Sequence, residues 1–126
     1  MKYLFLSLLI IVALASCDKE PCIETDLIGE YRLAEMLMDP GDGSGTFQPV
    51  NSDKTIEFHN DGTVTSNGDL CFMTIEANSP TSGTYSITDS TISITGCSDL
   101  AFELENDDLI IHYPCIEGCS AKFRSQ

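Results

Sequence analysis

Positive charge is scarce in this chain: Lys and Arg number 6 against 20 Asp and Glu, a formal net charge of −14. Phosphate backbones are bound through stripes of Lys and Arg, so the shortage argues against nucleic acid as a partner. A solvated acidic surface is its plain meaning, and steering toward a basic partner its sharper one. Tryptophan is absent and histidine occurs only at His59 and His112, each between inward-facing neighbours, which leaves little for imidazole chemistry. No segment past the N-terminal region has convincing helical periodicity. The one long apolar run lies at the very start, and what remains of the 126 residues is enough for one core without a metal to hold it.

That apolar run carries an address. Lys2 precedes Tyr3 to Leu14, about as long as a secretory apolar core and too short for a comfortable membrane span. Leu14-Ala15-Ser16-Cys17 resembles the lipobox of bacterial lipoproteins, which implies cleavage before Cys17 and its lipidation, with residues 1–16 as signal peptide. Removing them with Lys2 leaves 5 basic against 20 acidic side chains, or −15. Acyl chains on Cys17 bury enough methylenes to make the anchor effectively permanent. Residues 17–26 then form a polar tether, and residues 27–126 the folded domain. Asp18-Lys19-Glu20, close behind the cysteine, is similar to the surface-export signals of Bacteroidota lipoproteins. Outer-membrane anchoring follows as the expectation, periplasmic or surface-exposed.

Within the domain the dominant pattern is alternation. Ile56 and Phe58 share one face before Asp61-Gly62, and Val64 takes the matching face after it, while Glu57, His59 and Thr65 point away. The sequence therefore predicts a β-hairpin with positive φ at Asp61-Gly62. Tyr31 and Leu33 open an earlier strand that runs on to Asp39; Leu33, Met36 and Leu37 also fit helical spacing, but Gly29 and Tyr31 at its start favour the strand. Residues 39–53, rich in glycine and proline, cannot be regular structure and have the length of a lid or binding loop. Residues 67–76 read as a poorly alternating third strand. Tyr85 and Ile87, Ile92 and Ile94, Phe102 and Leu104, then Leu109, Ile111 and Tyr113 supply further inward faces, and residues 120–124 a last strand. Eight or nine sequential antiparallel strands favour an all-β up-and-down barrel over a sandwich, because closure removes exposed edges. With eight strands the interior holds side chains or one small ligand.

The series Gly29-x-Tyr31-x-Leu33, long glycine-rich loop, Thr55-Ile56-Glu57-Phe58, Asp61-Gly62-Thr63-Val64, Gly83-x-Tyr85-x-Ile87 and Leu109-Ile110-Ile111 resembles the bacterial lipocalin-like lipoprotein domain. The resemblance implies a barrel whose mouth is covered by the loop of residues 39–53, and an aromatic at Tyr31 packed under a cation from Arg124. It implies a small apolar or amphipathic ligand, with Tyr31, Leu33, Phe58, Tyr85, Ile87, Phe102 and Tyr113 as candidate lining. The alternative is a protein-binding envelope lipoprotein, similar in plan to barrel lipoproteins that inhibit host lysozyme, since −15 suits a basic target.

Excluding Cys17, the cysteines are Cys22, Cys71, Cys97, Cys115 and Cys119. Outside the cytoplasm they oxidise, and an odd count leaves one unpaired; about 15 two-bridge arrangements are open. Cys71 with Cys97 and Cys115 with Cys119 are the preferred pairs, leaving Cys22 free or bridged to the barrel. His112 with Cys115 and Cys119 as a zinc site lacks a fourth ligand. Asp39, Asp42, Ser44 and Thr46 offer calcium-like oxygens without the spacing of a calcium loop. No catalytic constellation, cofactor or metal is expected, and the chain reads as a binding protein, not an enzyme.

Overall fold

The computed structural model describes residues 26–126. Cys17, Cys22, the signal peptide and all but the end of the tether lie outside the described residues. Nine strands follow in order: β1 (Gly29–Met38), β2 (Gln48–Pro49), β3 (Thr55–Phe58), β4 (Thr63–Ser66), β5 (Thr81–Ser86), β6 (Thr91–Ser93), β7 (Leu100–Glu105), β8 (Asp108–Tyr113) and β9 (Cys119–Ser125). Each strand from β3 to β8 pairs antiparallel with the next, and β1 pairs with both β3 and β9. Eight strands thus close an up-and-down barrel, and β2 is one extra. Closure leaves no free edge among the eight.

Alternation decides what goes inside. Tyr31, Leu33, Ile56, Phe58, Val64, Ile92, Phe102, Leu109, Ile111, Tyr113 and Phe123 are buried, whereas Glu57, Glu103 and His112 between them face out. Ile110 breaks the rule: it has outward parity, opposite Lys122 and Glu103, and is still buried. β1 reaches both neighbours by shifting register between Leu33 and Glu35, a bulge that explains why Met36-Leu37-Met38 loses strict alternation.

The two ends of the barrel differ. At one end the turns are short. The β7–β8 turn puts Asn106 and Asp107 at φ 51° and 69°, both positive as a two-residue hairpin of this kind requires. In the β3–β4 turn only Gly62 has positive φ, at 86°, so the expected pair Asp61-Gly62 is corrected: Asp61 instead accepts hydrogen bonds from the Thr63 N–H and hydroxyl. Leu27 tucks beneath this end, and the Tyr31 hydroxyl lies 3.0 Å from both the Asp26 and Leu27 carbonyls.

At the other end lie four longer connections, residues 39–47 with 50–54, 67–80, 94–99 and 114–118. The expected strand over residues 67–76 is not formed. Leu70 is buried but Phe72 and Ile75 are exposed, and the segment's carbonyls go elsewhere. Lys54 Nζ donates to the Asp69 and Thr74 carbonyls, and the Ser52 hydroxyl to that of Ile75 at 2.6 Å. Gly68 is required in this loop, since a Cβ there would stand 2.5 Å from the Glu76 carbonyl oxygen and 2.9 Å from Lys54 Cγ. Residues 39–53, expected to lack regular structure, contain β2, which pairs with β1 at Glu35 and Met36.

Candidate functional site

The closed half of the barrel is filled by rings. Phe58 has its centroid 6.1 Å from Tyr31, 5.0 Å from Tyr85 and 5.6 Å from Phe102. Tyr85 is fixed there by donating its hydroxyl to the His59 carbonyl at 2.6 Å. Edge-on ring pairs at such distances add to what apolar burial already contributes.

At the open half a pocket of about 600 Å³ remains. Its walls come from Met38 at the end of β1, Cys71, Phe72 and Met73 of the β4–β5 loop, Gly96, Cys97 and Ser98 of the β6–β7 loop, and Tyr113, Pro114, Cys115 and Cys119 around the β8–β9 loop. Two disulfides belong to these walls. Cys71–Cys97 ties the β4–β5 loop to the β6–β7 loop, and Cys115–Cys119 closes the β8–β9 loop, with Cα separations of 5.6 Å and 6.0 Å. Both are the pairs preferred from the sequence. The walls are therefore covalently set as well as packed.

The β4–β5 wall hangs on a buried cation. Lys54 is 1% exposed although ammonium groups are seldom buried without several acceptors. Burial pushes its pKa down to about 8, against the opposing pull of Asp69 and Glu76. Sequence reasoning missed this residue, yet its parity was visible: Lys54 shares a face with Ile56 and Phe58. Tyr113 also buries a polar group. Burial, helped by the Asp69 charge, raises its phenol above the ordinary range, and its hydroxyl is the one buried side-chain polar atom without a partner among the described residues.

Of the seven residues expected to line a cavity, Tyr113 alone lines this pocket. Tyr31, Phe58, Tyr85 and Phe102 are brought together, but as a packed cluster. Ile87 and Phe102 border a separate cleft of about 330 Å³ at the closed end, and Leu33 one of about 350 Å³ beside the β1 bulge. Inward parity predicts burial but not which level of the barrel stays open. The loop expected to cover the barrel mouth lies at the same end as this pocket but does not wall it: of that loop's surroundings only Met38 faces the pocket. That loop folds on itself, Asp39 accepting from the N–H groups of Gly41, Gly43 and Gly45 and Asp42 from Ser44, which holds both carboxyls below their usual range. Among the described residues no three His, Cys, Asp or Glu are grouped to hold a metal, and Cys115 and Cys119 are bonded to each other, not available with His112 as thiolates.

The Arg124 expectation is corrected as well. Tyr31 faces in and Arg124 out, where it bonds Glu35 at 2.6 Å. Among the described residues it is Lys122 that lies over a ring, 4.4 Å from the centroid of Phe47. Both histidines lie on the outer surface as expected, but His112 stands between the Ser120 hydroxyl at 2.8 Å and Glu103 at 3.1 Å, a cross-strand row the sequence reading did not foresee. Ser120 is buried, and neither it nor His112 lines any of the three pockets described.

A closed antiparallel barrel, filled at one end and hollowed at the other, is an architecture that fits ligand binding in general. The lipocalin-like domain family matches residues 27–110, and the chain belongs to it. The match covers β1 to β7 and the first half of β8; β9, which completes closure against β1, lies beyond it. Comparison with curated proteins and with solved structures yields no match.

Proposed function

We propose that this chain is a lipid-anchored envelope lipoprotein whose barrel binds one small apolar or amphipathic molecule at its open end, without transforming it. The observation that carries the reading is the pocket of about 600 Å³, lined by apolar, sulfur-bearing and small side chains, with none charged. That volume and lining suit a small ligand. Leu14-Ala15-Ser16-Cys17 supports the anchor, and bacterial outer-membrane attachment is the setting we infer from it. Two measurements test the reading. Native mass spectrometry of the protein recovered from its own cells should reveal a bound small molecule, lost in a Phe72→Glu variant; a clean apo mass refutes it. Labelled palmitate should enter the wild type and not Cys17→Ser.

A second reading, a basic protein partner, is favoured by one feature. Ile116 is 99% exposed at the tip of the disulfide-closed Cys115–Cys119 loop, beside Glu117. An exposed apolar tip flanked by acid on a strongly acidic chain suits an interface anchor. Co-purification of a basic protein that Ile116→Asp abolishes would support it.

A further inference from the structure

The nature of the ligand's polar group can be read from the charges around the pocket, provided that the pocket is the ligand site proposed above. None of the side chains lining it is ionic, and the Asp, Glu, Lys and Arg residues within two positions of them in the chain are all acidic, although the Lys54 ammonium stands behind the β4–β5 wall. Asp39 follows Met38, Asp99 follows Ser98, Glu117 lies inside the Cys115–Cys119 loop, and Asp69 acts on the Tyr113 phenol. The cations of the described residues are all engaged. Arg32 pairs with Asp53, Lys54 is spent on the Asp69 and Thr74 carbonyls, and Lys122 and Arg124 share Glu35. A carboxylate or phosphate head group would therefore meet no counter-charge. A positive one would enter an apolar cleft whose lining residues have acidic neighbours in the chain, Asp99 among them although its carboxylate bonds Ser93 on the outer face, and the net field of those charges favours it. Independently, Tyr113 lines the pocket and its buried hydroxyl is unpartnered, with the residue 8% exposed, so a polar atom of a ligand that reaches it relieves a group the fold leaves unsatisfied.

We propose that the pocket selects amphiphiles whose polar group is an amine, with the apolar body against Met38, Phe72, Met73 and Tyr113 and the ammonium among Asp39, Asp69, Asp99 and Glu117. Amphiphiles of equal length with an anionic head are rejected.

The test is competition against an uncharged fluorescent probe, N-phenyl-1-naphthylamine, whose emission is read easily because the chain has no tryptophan. Decylamine, decanol and decanoate are titrated at pH 7. The expected order is amine, alcohol, carboxylate, with at least about ten-fold between the extremes at low ionic strength and a smaller gap at roughly 0.5 M salt. The double variant Asp99→Asn with Glu117→Gln should weaken decylamine several-fold more than decanol. Tyr113→Phe should weaken decylamine by about two- to ten-fold, the worth of one hydrogen bond. If decanoate competes as well as decylamine, or if salt and the double variant leave the order untouched, charge selection is wrong and the site stands. If the probe does not bind, or if no competitor displaces it, the site reading fails and takes the selection with it.

Discussion

Lys54→Met offers the sharpest check on how the open end is held. Methionine fills the same apolar channel, but removes the ammonium that donates to the Asp69 and Thr74 carbonyls. Two opposing effects follow. Losing hydrogen bonds from a charged donor costs about 1.5–3 kcal/mol each, while relieving a buried cation recovers part of that sum. Their balance depends on pH, and its direction follows from the pKa of about 8 in the folded chain against 10.5 for an ordinary lysine. Between those values the unfolded chain binds more protons at this position than the folded one, so wild-type stability rises with pH through that window. From pH 8 to 9.5 the gain is at most about 2 kcal/mol, at 1.36 kcal/mol for each pH unit. The variant lacks it. Urea unfolding followed by far-UV circular dichroism, in a Cys22→Ser background to prevent thiol exchange, should show wild type gaining stability relative to Lys54→Met as pH rises. Below about pH 7, a unit under the folded-state pKa, their separation should be constant. Parallel stability curves up to pH 9.5 would refute the assignment of a depressed, protonatable Lys54.

Three further outcomes follow from the packing. Phe58→Ala removes the ring at the centre of the aromatic cluster and should cost about 3–5 kcal/mol in chemical unfolding. Replacing both Cys71 and Cys97 by serine opens a link spanning 26 residues and should lower stability by about 3.5 kcal/mol, against about 2 kcal/mol for the Cys115–Cys119 link spanning 4; equal losses would contradict the chain-entropy account. Tyr113→Phe deletes an unpartnered hydroxyl and should stabilise the empty barrel by up to about 1 kcal/mol in thermal melts, while weakening ligand.

Period-two patterning made most of the barrel readable before any coordinates. Ile56 and Phe58 with Val64, and Phe102 with Leu109, Ile111 and Tyr113, set the hairpins because one face had to be buried. Residues 67–76 misled because Leu70, Phe72 and Ile75 are apolar enough to suggest a strand. Their backbone is satisfied instead by Lys54 and Ser52, partners more than a dozen residues away in sequence. Arg124 could have been placed from parity with buried Phe123, but its partner Glu35 is 89 residues distant and no local rule reveals it. The pocket was least legible of all. Tyr31, Phe58 and Tyr113 look alike to any test of facing, and only the stacking of rings in three dimensions decides that the first two plug the barrel and the third borders empty space.

Both ends of the described chain emerge at the plugged base: β1 starts there, and the Gln126 N–H reaches back to the Glu30 carbonyl at 3.0 Å. The molecule therefore has a handle and a rim on opposite poles. Any surface or fusion partner gripping residues before Asp26 or after Gln126 holds it like a cup by the foot. The pocket at the opposite pole is then left clear of the grip.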